Sequence, residues 1–145
     1  MHIEPVTEIT DEVFEAVTRL VPQLGVHKAP PTRDELTALV KSEASTLLIA
    51  RFPNADSGIA GLLCLTVYRV PTGIRSIVED VIVDENMRRR GIAEALMLRA
   101  IELARQAGAN GVSLTSNPKR EAANKLYQSM GFQKRDTNAY FYKFE

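Results

Sequence analysis

Residues 76–104 decide the fold, and they read SIVEDVIVDENMRRRGIAEALMLRAIELA. The first part, Ile77–Val83, is β-branched and apolar except at Glu79 and Asp80, which predicts a mostly buried strand. From Ile92 onward, apolar residues recur at the spacing of one helix face, which predicts a long helix. A short polar loop separates the two elements. The stretch is therefore predicted to be a strand, a tight loop and a helix.

Three consecutive arginines, at positions 88–90, stand where this helix is predicted to begin. A cation in the first turn opposes the helix dipole at a cost of about 0.3–1 kcal/mol, so three of them are best explained by a bound anion. Gly91 and Ala93 leave little side-chain bulk over the backbone N–H groups that a helix start leaves unpaired. We therefore predict that residues 88–93 (the arginine loop) bind phosphate, and a solvated basic turn is the alternative.

The composition of the 145-residue chain narrows the classes of function. Hydrophobic residues make up 45% and charged residues 25%, which predicts one globular domain over residues 1–145. Lys+Arg and Asp+Glu both number 18, so no basic excess points to nucleic acid. No apolar run is long enough to cross a membrane, and the single cysteine, Cys64, excludes an internal disulfide. We expect a cytoplasmic protein that binds neither nucleic acid nor membrane.

Capping and turn signals extend the prediction to the rest of the chain. Thr10 or Asp11 is expected to cap a first helix ending near Leu20, and the Thr32-x-x-Glu35 pattern predicts a capping box for a second. The other predicted elements are a short strand within residues 2–7, strands at Thr46–Phe52, Ile59–Tyr68 and Val112–Thr115, a helix at Glu121–Met130, and a terminal hairpin of Phe132–Asp136 and Tyr140–Phe144. The order is β-α-α-β-β-β-α-β-α-β-β, and the strands before and after the long helix are expected to be parallel.

Two motifs resemble those of the GNAT superfamily of N-acetyltransferases. Arg88-x-x-Gly91-x-Ala93, after a strand ending at Val83, is similar to that family's acyl-CoA pyrophosphate loop, Gln/Arg-x-x-Gly-x-Gly/Ala. Downstream, Asn124-Lys-Leu-Tyr127 followed by Gly131-Phe132 resembles the family's closing motif. The resemblance covers residues 76–145 well, and the earlier residues match only in the order of their elements.

The resemblance implies an α+β fold in which a mixed, mainly antiparallel sheet is splayed between its fourth and fifth strands. It also implies acetyl-CoA as co-substrate, and we expect no metal. The pantetheine arm would lie along the edge of the strand that precedes the arginine loop. The residues expected to contact acetyl-CoA are Val81, Ile82, Val83, Arg88, Arg89, Arg90, Gly91, Ile92, Ala93, Asn117, Asn124 and Tyr127.

Three residues are candidates for proton transfer. At about 3.3 Å per strand residue, Glu79 lies about 13 Å from Val83, toward where a thioester would lie, so Glu79 or its neighbour Asp80 is the candidate base. Successive strand residues point to opposite faces, so at most one of the two is expected to face the cofactor. A structural role is the alternative for each. Tyr127 resembles the family's tyrosine, whose hydroxyl can protonate the CoA sulfur, and a core position is the alternative.

These observations predict an N-acetyltransferase that uses direct attack in a ternary complex. Cys64 lies in an apolar run and is expected to be a buried filler rather than a covalent nucleophile. A small-molecule amine is the favoured acceptor, because the sequence has no large acidic patch that would attract a polycation. A protein N-terminus or lysine remains an alternative acceptor, and a non-catalytic acyl-CoA sensor is an alternative function. A homodimer is left open.

Overall fold

The computed structural model describes all residues, Met1–Glu145, as two compact units, Met1–Leu114 and Thr115–Glu145. The first unit contains four strands and three helices, and the second contains one helix. The elements are β1 (His2–Pro5), α1 (Asp11–Leu20), α2 (Arg33–Lys41), β2 (Ser45–Arg51), β3 (Ile59–Val70), β4 (Gly73–Val83), α3 (Ile92–Gln106) and α4 (Glu121–Ser129). Short 3₁₀ turns at Val21–Leu24 and Glu85–Met87 follow α1 and β4.

The four strands form one sheet in the order β1-β2-β3-β4, with every neighbouring pair antiparallel. The short turns predicted between β2, β3 and β4 account for this arrangement, because a turn of a few residues can only join antiparallel neighbours. The mixed α+β class predicted from the sequence is confirmed.

The first two helices begin where their capping signals predict. The Thr10 hydroxyl accepts a hydrogen bond from the N–H of Val13, and Thr32 and Glu35 form a complete capping box. The apolar face of α1 then packs on one side of the sheet, against side chains that include Leu62 and Ile82. This core explains why α1 needs only a few turns to be stable.

Helix α3 packs on the other face of the sheet. Gly61, next to Leu62 and therefore on the opposite face, sits where a β carbon would lie 3.2 Å from Ile92 and 2.9 Å from the carbonyl oxygen of Ile82. Leu96 is fully buried in the same layer. A glycine at position 61 thus allows the start of α3 to approach the sheet closely.

The predicted strand at Val112–Thr115 is reduced to one parallel bridge between Ile77 and Ser113. The N–H of Val78 donates to the Ser113 carbonyl at 2.9 Å, and the Ser113 N–H donates to the Ser76 carbonyl at 3.0 Å. The fully buried Ser76 hydroxyl also donates to the Gly111 carbonyl at 2.6 Å. The parallel direction was predicted correctly, but the segment is too short to add a regular strand.

The predicted terminal hairpin of Phe132–Asp136 and Tyr140–Phe144 is wrong, because residues 132–145 contain no strand. The two segments are joined by residues 137–139, which include no glycine, the residue that most readily adopts the positive φ angles of tight hairpin turns. An isolated two-stranded hairpin is at best marginally stable, so the strand-favouring residues of Tyr140–Phe144 alone do not form one.

None of the helices combines the length with the apolar character that spanning a membrane requires.

Candidate functional site

Strand β4 carries a β-bulge at its two carboxylates. Cys64 lies opposite Glu79, and Leu62 lies opposite Ile82, so β4 has one residue more than β3 between these pairs. Asp80 has φ 54°, a left-handed conformation that aspartate tolerates better than most residues. We expected Glu79 and Asp80 to face opposite sides of the sheet, because side chains alternate along a regular strand. The bulge interrupts this alternation between the two residues. The apolar pattern of the strand gave no signal for this bulge.

Both carboxylates are exposed, and neither makes a side-chain hydrogen bond or an ion pair within the chain. Neither carboxylate therefore has the structural role of accepting a hydrogen bond from an arginine or a backbone N–H group. Burial raises the pKa of the Cys64 thiol, and the charges of Asp80 and Glu79 raise it further. Cys64 is thus held as the protonated, poorly nucleophilic thiol.

β4 is the last strand of the sheet, so alternate backbone groups along Val81–Val83 face away from β3. Ile82 anchors this segment, because its side chain is buried in the core beneath α1. The parallel bridge to Ser113 involves only the earlier part of β4, around Ile77. The predicted strand edge is therefore positioned by the core and available for backbone hydrogen bonds.

The arginine loop has the backbone geometry of an anion-binding turn. Arg89 has φ 65° and Gly91 has φ 77°, and left-handed residues of this kind make successive N–H groups converge. Gly91 is the N-cap of α3, and no side chain caps this helix. A β carbon at Gly91 would meet nothing within 4 Å, so the helix start faces open space. The residues present therefore fit a phosphate group.

Two of the three arginines in the loop contact other parts of the chain. Arg88 turns back, and its Nε donates to the Val83 carbonyl at 3.5 Å. The Arg90 guanidinium lies 5.7 Å from the centroid of the Phe52 ring, a cation–π contact with the turn after β2. All three side chains are exposed. Arg88 and Arg90 thus stabilise the loop in addition to supplying positive charge near the helix start.

Two residues that the sequence analysis missed hold the segment before the arginine loop. Arg19 of α1 donates to the Ile59 carbonyl at 2.8 Å and pairs with Asp84 at 3.3 Å. The Gln23 side chain accepts a hydrogen bond from the Glu85 N–H at 3.0 Å. Arg19 lies on the polar face of α1 and Gln23 in a short turn, so no local pattern marks either residue.

In the second unit, the structure brings Asn117 and Asn124 together. The Asn124 amide donates to the Asn117 carbonyl at 3.0 Å and to the Arg120 carbonyl at 2.8 Å, while the Asn117 side chain accepts from the Lys119 N–H. Both asparagines therefore shape the turn that begins α4. The side-chain oxygen of Asn124 makes no hydrogen bond within the chain.

Tyr127 is 7% exposed, and its ring packs edge-on against Phe132 with the centroids 5.9 Å apart. Its hydroxyl makes no hydrogen bond within the chain, but the oxygen is not completely buried. The ring is therefore a core group, and the oxygen remains accessible. Burial raises the pKa of the Tyr127 hydroxyl, although Arg120 opposes this, so the group stays protonated at neutral pH.

No group of three or more histidine, cysteine, aspartate or glutamate side chains is arranged to hold a metal ion.

Comparisons with known proteins point to one family. The model of a family described as "Acetyltransferase (GNAT) family" matches residues 9–132. A segment of 57 residues, 39% of this chain, is 44% identical to N-acetyltransferase family 8 member 3 of Rattus norvegicus. The match spans only 24% of that curated relative's length.

Solved structures share the whole fold at low sequence identity. An aminoglycoside acetyltransferase from an uncultured soil metagenomic sample has a TM-score of 0.83 at 20% identity, covering 99% of this chain and 95% of that one. A protein described as a transcriptional regulator from Bacillus halodurans has a TM-score of 0.78 at 23% identity, covering 99% and 100%. Because these two carry different functional descriptions, the shared fold does not by itself identify the acceptor.

Proposed function

Because this chain belongs to the GNAT acetyltransferase family, we propose that it transfers the acetyl group of acetyl-CoA to the primary amine of a small molecule. The observation that carries the proposal is the arginine loop, in which left-handed Arg89 and Gly91 precede an uncapped helix facing open space. Backbone N–H groups at such a helix start, together with three arginines, bind a pyrophosphate favourably.

In this proposal the edge of β4 holds the pantetheine arm. Its amides would exchange hydrogen bonds with outward-facing backbone groups of Val81–Val83, as a peptide adds to the edge of a sheet. Such contacts position the donor without depending on side-chain identity. They also direct the thioester away from the arginine loop, toward the bulge at Glu79 and Asp80.

The chemistry is a direct transfer. The amine nitrogen attacks the thioester carbonyl carbon, the nitrogen–carbon bond forms, and the carbon–sulfur bond breaks. Glu79 or Asp80 accepts the proton that the amine loses, directly or through a water, and the Tyr127 hydroxyl gives a proton to the departing thiolate. The free carboxylates and the raised pKa of the accessible Tyr127 hydroxyl support these roles. A covalent route through Cys64 is disfavoured by its raised pKa.

A small-molecule acceptor is supported by two observations. One structural neighbour is described as an aminoglycoside acetyltransferase, and the chain carries equal numbers of basic and acidic residues. A protein N-terminus or lysine is the second candidate, and it draws on the N-acetyltransferase name of the rat relative.

The test is thiol release from acetyl-CoA, measured with small amines, aminoglycosides, and peptides bearing a free N-terminus or lysine. We expect turnover with at least one small amine and none with peptides. Turnover only with peptides would move the acceptor to the second candidate. Tight CoA binding without turnover on any amine would instead identify a non-catalytic sensor.

A further inference from the structure

The face of the sheet that carries Glu79 continues beyond the part that α1 covers. Glu79 pairs with Cys64 on β3, and Cys64 is two residues from Leu62, whose side chain is buried beneath α1. The pairing is regular from Glu79 back to the start of β4, so Ile77 and Arg75 share this face. Ile77 is half-buried, and Arg75 and Glu79 are exposed. The face therefore presents a carboxylate, an apolar side chain and a cation in a row.

The Arg75 guanidinium has donors free for a ligand. Its Nη2 donates to the Thr72 hydroxyl at 2.8 Å, in the turn before β4. No carboxylate of the chain forms an ion pair with Arg75. A guanidinium carries five N–H donors in a planar fork that matches the oxygens of a carboxylate or a phosphate-like group. The contact with Thr72 therefore positions this cation without neutralising its charge.

Arg75 lies four residues from Glu79, about 13 Å between α carbons along the strand. Both side chains can turn toward Ile77, so one small molecule can contact both. We propose, resting on the acetyl transfer proposed above, that the acceptor is a short amine with an oxyanion, a carboxylate or a phosphonate, at its other end. The amine lies at the carboxylates of the bulge, the chain crosses Ile77, and the oxyanion pairs with Arg75.

Charge complementarity separates this class from other small amines. An oxyanion at the far end of the acceptor forms charge-assisted hydrogen bonds with the Arg75 guanidinium. A second ammonium group there would meet a like charge, and an uncharged end would make neither contact. Because Arg75 is exposed, the expected discrimination is modest, about fivefold, which corresponds to the strength of a well-formed surface pair.

Four acceptors with the same three-carbon chain test the proposal. Butylamine, 4-aminobutyrate, 3-aminopropylphosphonate and 1,4-diaminobutane carry a methyl, a carboxylate, a phosphonate and an aminomethyl group at the far end. We expect kcat/KM for the better anionic acceptor to exceed that for butylamine at least fivefold, and 1,4-diaminobutane to be the poorest. The two anionic acceptors show which oxyanion the site prefers.

Variants of Arg75 test whether this residue causes the preference. Arg75→Ala should lower the ratio of kcat/KM for the anionic acceptor to that for butylamine at least fivefold, and Arg75→Glu should make 1,4-diaminobutane the best acceptor of the four. The ratio is measured within one preparation, so a loss of folded protein cancels. Arg69→Ala is the matched control, because Arg69 is exposed on β3 opposite Ile74, on the other face of the sheet. It should leave the ratio unchanged.

The possible failures are distinguishable. Equal use of butylamine and both anionic acceptors would overturn the inference, as would a preference for an anionic acceptor that survives Arg75→Ala. Both results leave the proposed acetyl transfer intact, because transfer is still observed. Transfer to none of the four acceptors but to another amine would also refute this acceptor class alone. No transfer to any amine would refute the proposed function, and the acceptor class with it.

Discussion

Asp80 and Arg89 are the two non-glycine residues with positive φ, and both lie in the candidate site. A left-handed conformation costs about 1–2 kcal/mol for a residue with a β carbon, so the surrounding contacts must hold each residue in place. At Asp80 the bulge fixes where the carboxylates stand, and at Arg89 the turn directs N–H groups toward open space. The backbone is strained at the two places where the proposed function requires an unusual shape.

Tyr127→Phe isolates one hydroxyl. It keeps the ring that packs on Phe132, and the lost oxygen makes no hydrogen bond within the chain. If Tyr127 is the acid, acetyl transfer should slow by about tenfold to a hundredfold, because positioned acids typically contribute about 10²–10⁴-fold and a good leaving group places the effect at or below the lower end. CoA affinity and the thermal midpoint should change little. The measurement is a single-turnover rate.

Tyr68→Phe is the matched control, because Tyr68 is exposed on β3 and lies outside the proposed site. A Tyr127→Phe rate within twofold of wild type, under conditions where chemistry limits, would remove Tyr127 from catalysis and leave it a core residue.

Glu79→Gln and Asp80→Asn should separate the two candidate bases. Neither carboxylate is paired, and asparagine tolerates the left-handed conformation of Asp80, so both variants should fold normally. The variant that removes the base should lose about 10²–10⁴-fold in kcat/KM. The loss should be largest at low pH, where the amine is mostly protonated. Superimposable pH–rate profiles for wild type and both variants would place the base elsewhere.

At the scale of elements, the helix starts were predicted correctly, because they depend on contacts between residues that are close in sequence. Thr10 and Thr32 begin their helices because a side-chain oxygen near a free N–H suffices. The terminal hairpin could not be predicted in this way, because residues that favour a strand do not show which segment pairs with it. The strand, loop and helix of residues 76–104 were predicted because a short apolar run indicates a buried strand, whereas apolar residues at helical spacing indicate a helix.

Contacts between elements position the arginine loop. Arg19→Ala should raise the KM for acetyl-CoA about tenfold with kcat little changed, because Asp84 and the Ile59 carbonyl lose their partner and the segment before the loop relaxes. Arg19→Lys should restore part of the affinity by restoring the ion pair. Initial rates against acetyl-CoA concentration provide the test.

Arg33→Ala is the control for Arg19. Arg33 also joins one carboxylate, Asp11, and one carbonyl, that of Ile9, but it contacts no part of the segment before the arginine loop. If the two alanine variants change the KM equally, Arg19 acts through general stability alone.

Across the whole molecule, one ion-pair network joins three elements. Arg51, at the end of β2, contacts Glu4 of β1 at 3.0 Å and Glu12 of α1 at 2.6 Å, and it donates to the Ser57 carbonyl. Hydrogen bonds from Arg51 lower the pKa of both carboxyls. The network therefore fixes the first strand and first helix against the sheet.

This network should make stability depend on pH. A carboxyl with a lowered folded-state pKa stabilises the fold above its unfolded pKa, about 4.3, and that stabilisation is lost as pH falls through the folded value. Arg51→Met should cost about 1 kcal/mol at pH 7, since both carboxylates are partly exposed, and less near pH 3, where stabilisation from the carboxylates is being lost and the hydrogen bond to the Ser57 carbonyl remains. Urea unfolding at the two pH values measures this. Arg105→Met, which removes an exposed pair with Glu102, should change neither.

Only the part of the site that is formed by residues close in sequence was predicted. The arginine loop was found because six consecutive residues carry its signal. The contacts of Arg19 with Ile59 and of Gln23 with Glu85 join residues 40 and 62 positions apart, and no single-sequence pattern encodes them. The bulge at Asp80 was missed for the same reason, because it is a property of the register between two strands.

The buried hydroxyl of Ser76 has a consequence for donor choice. β4 and α3 are joined through the arginine loop at one end, and at the other end Ser76 bonds to Gly111 while the Asn110 N–H bonds to the Ile74 carbonyl. A strand and a helix tied at both ends cannot slide past each other. The span from Val83, where the strand ends before the arginine loop, back to Glu79 is about 13 Å, and it is thus fixed by the fold. Under the proposed function, the protein selects its acyl donor by reach, and a carrier whose phosphate-to-sulfur arm is much shorter cannot engage both ends at once.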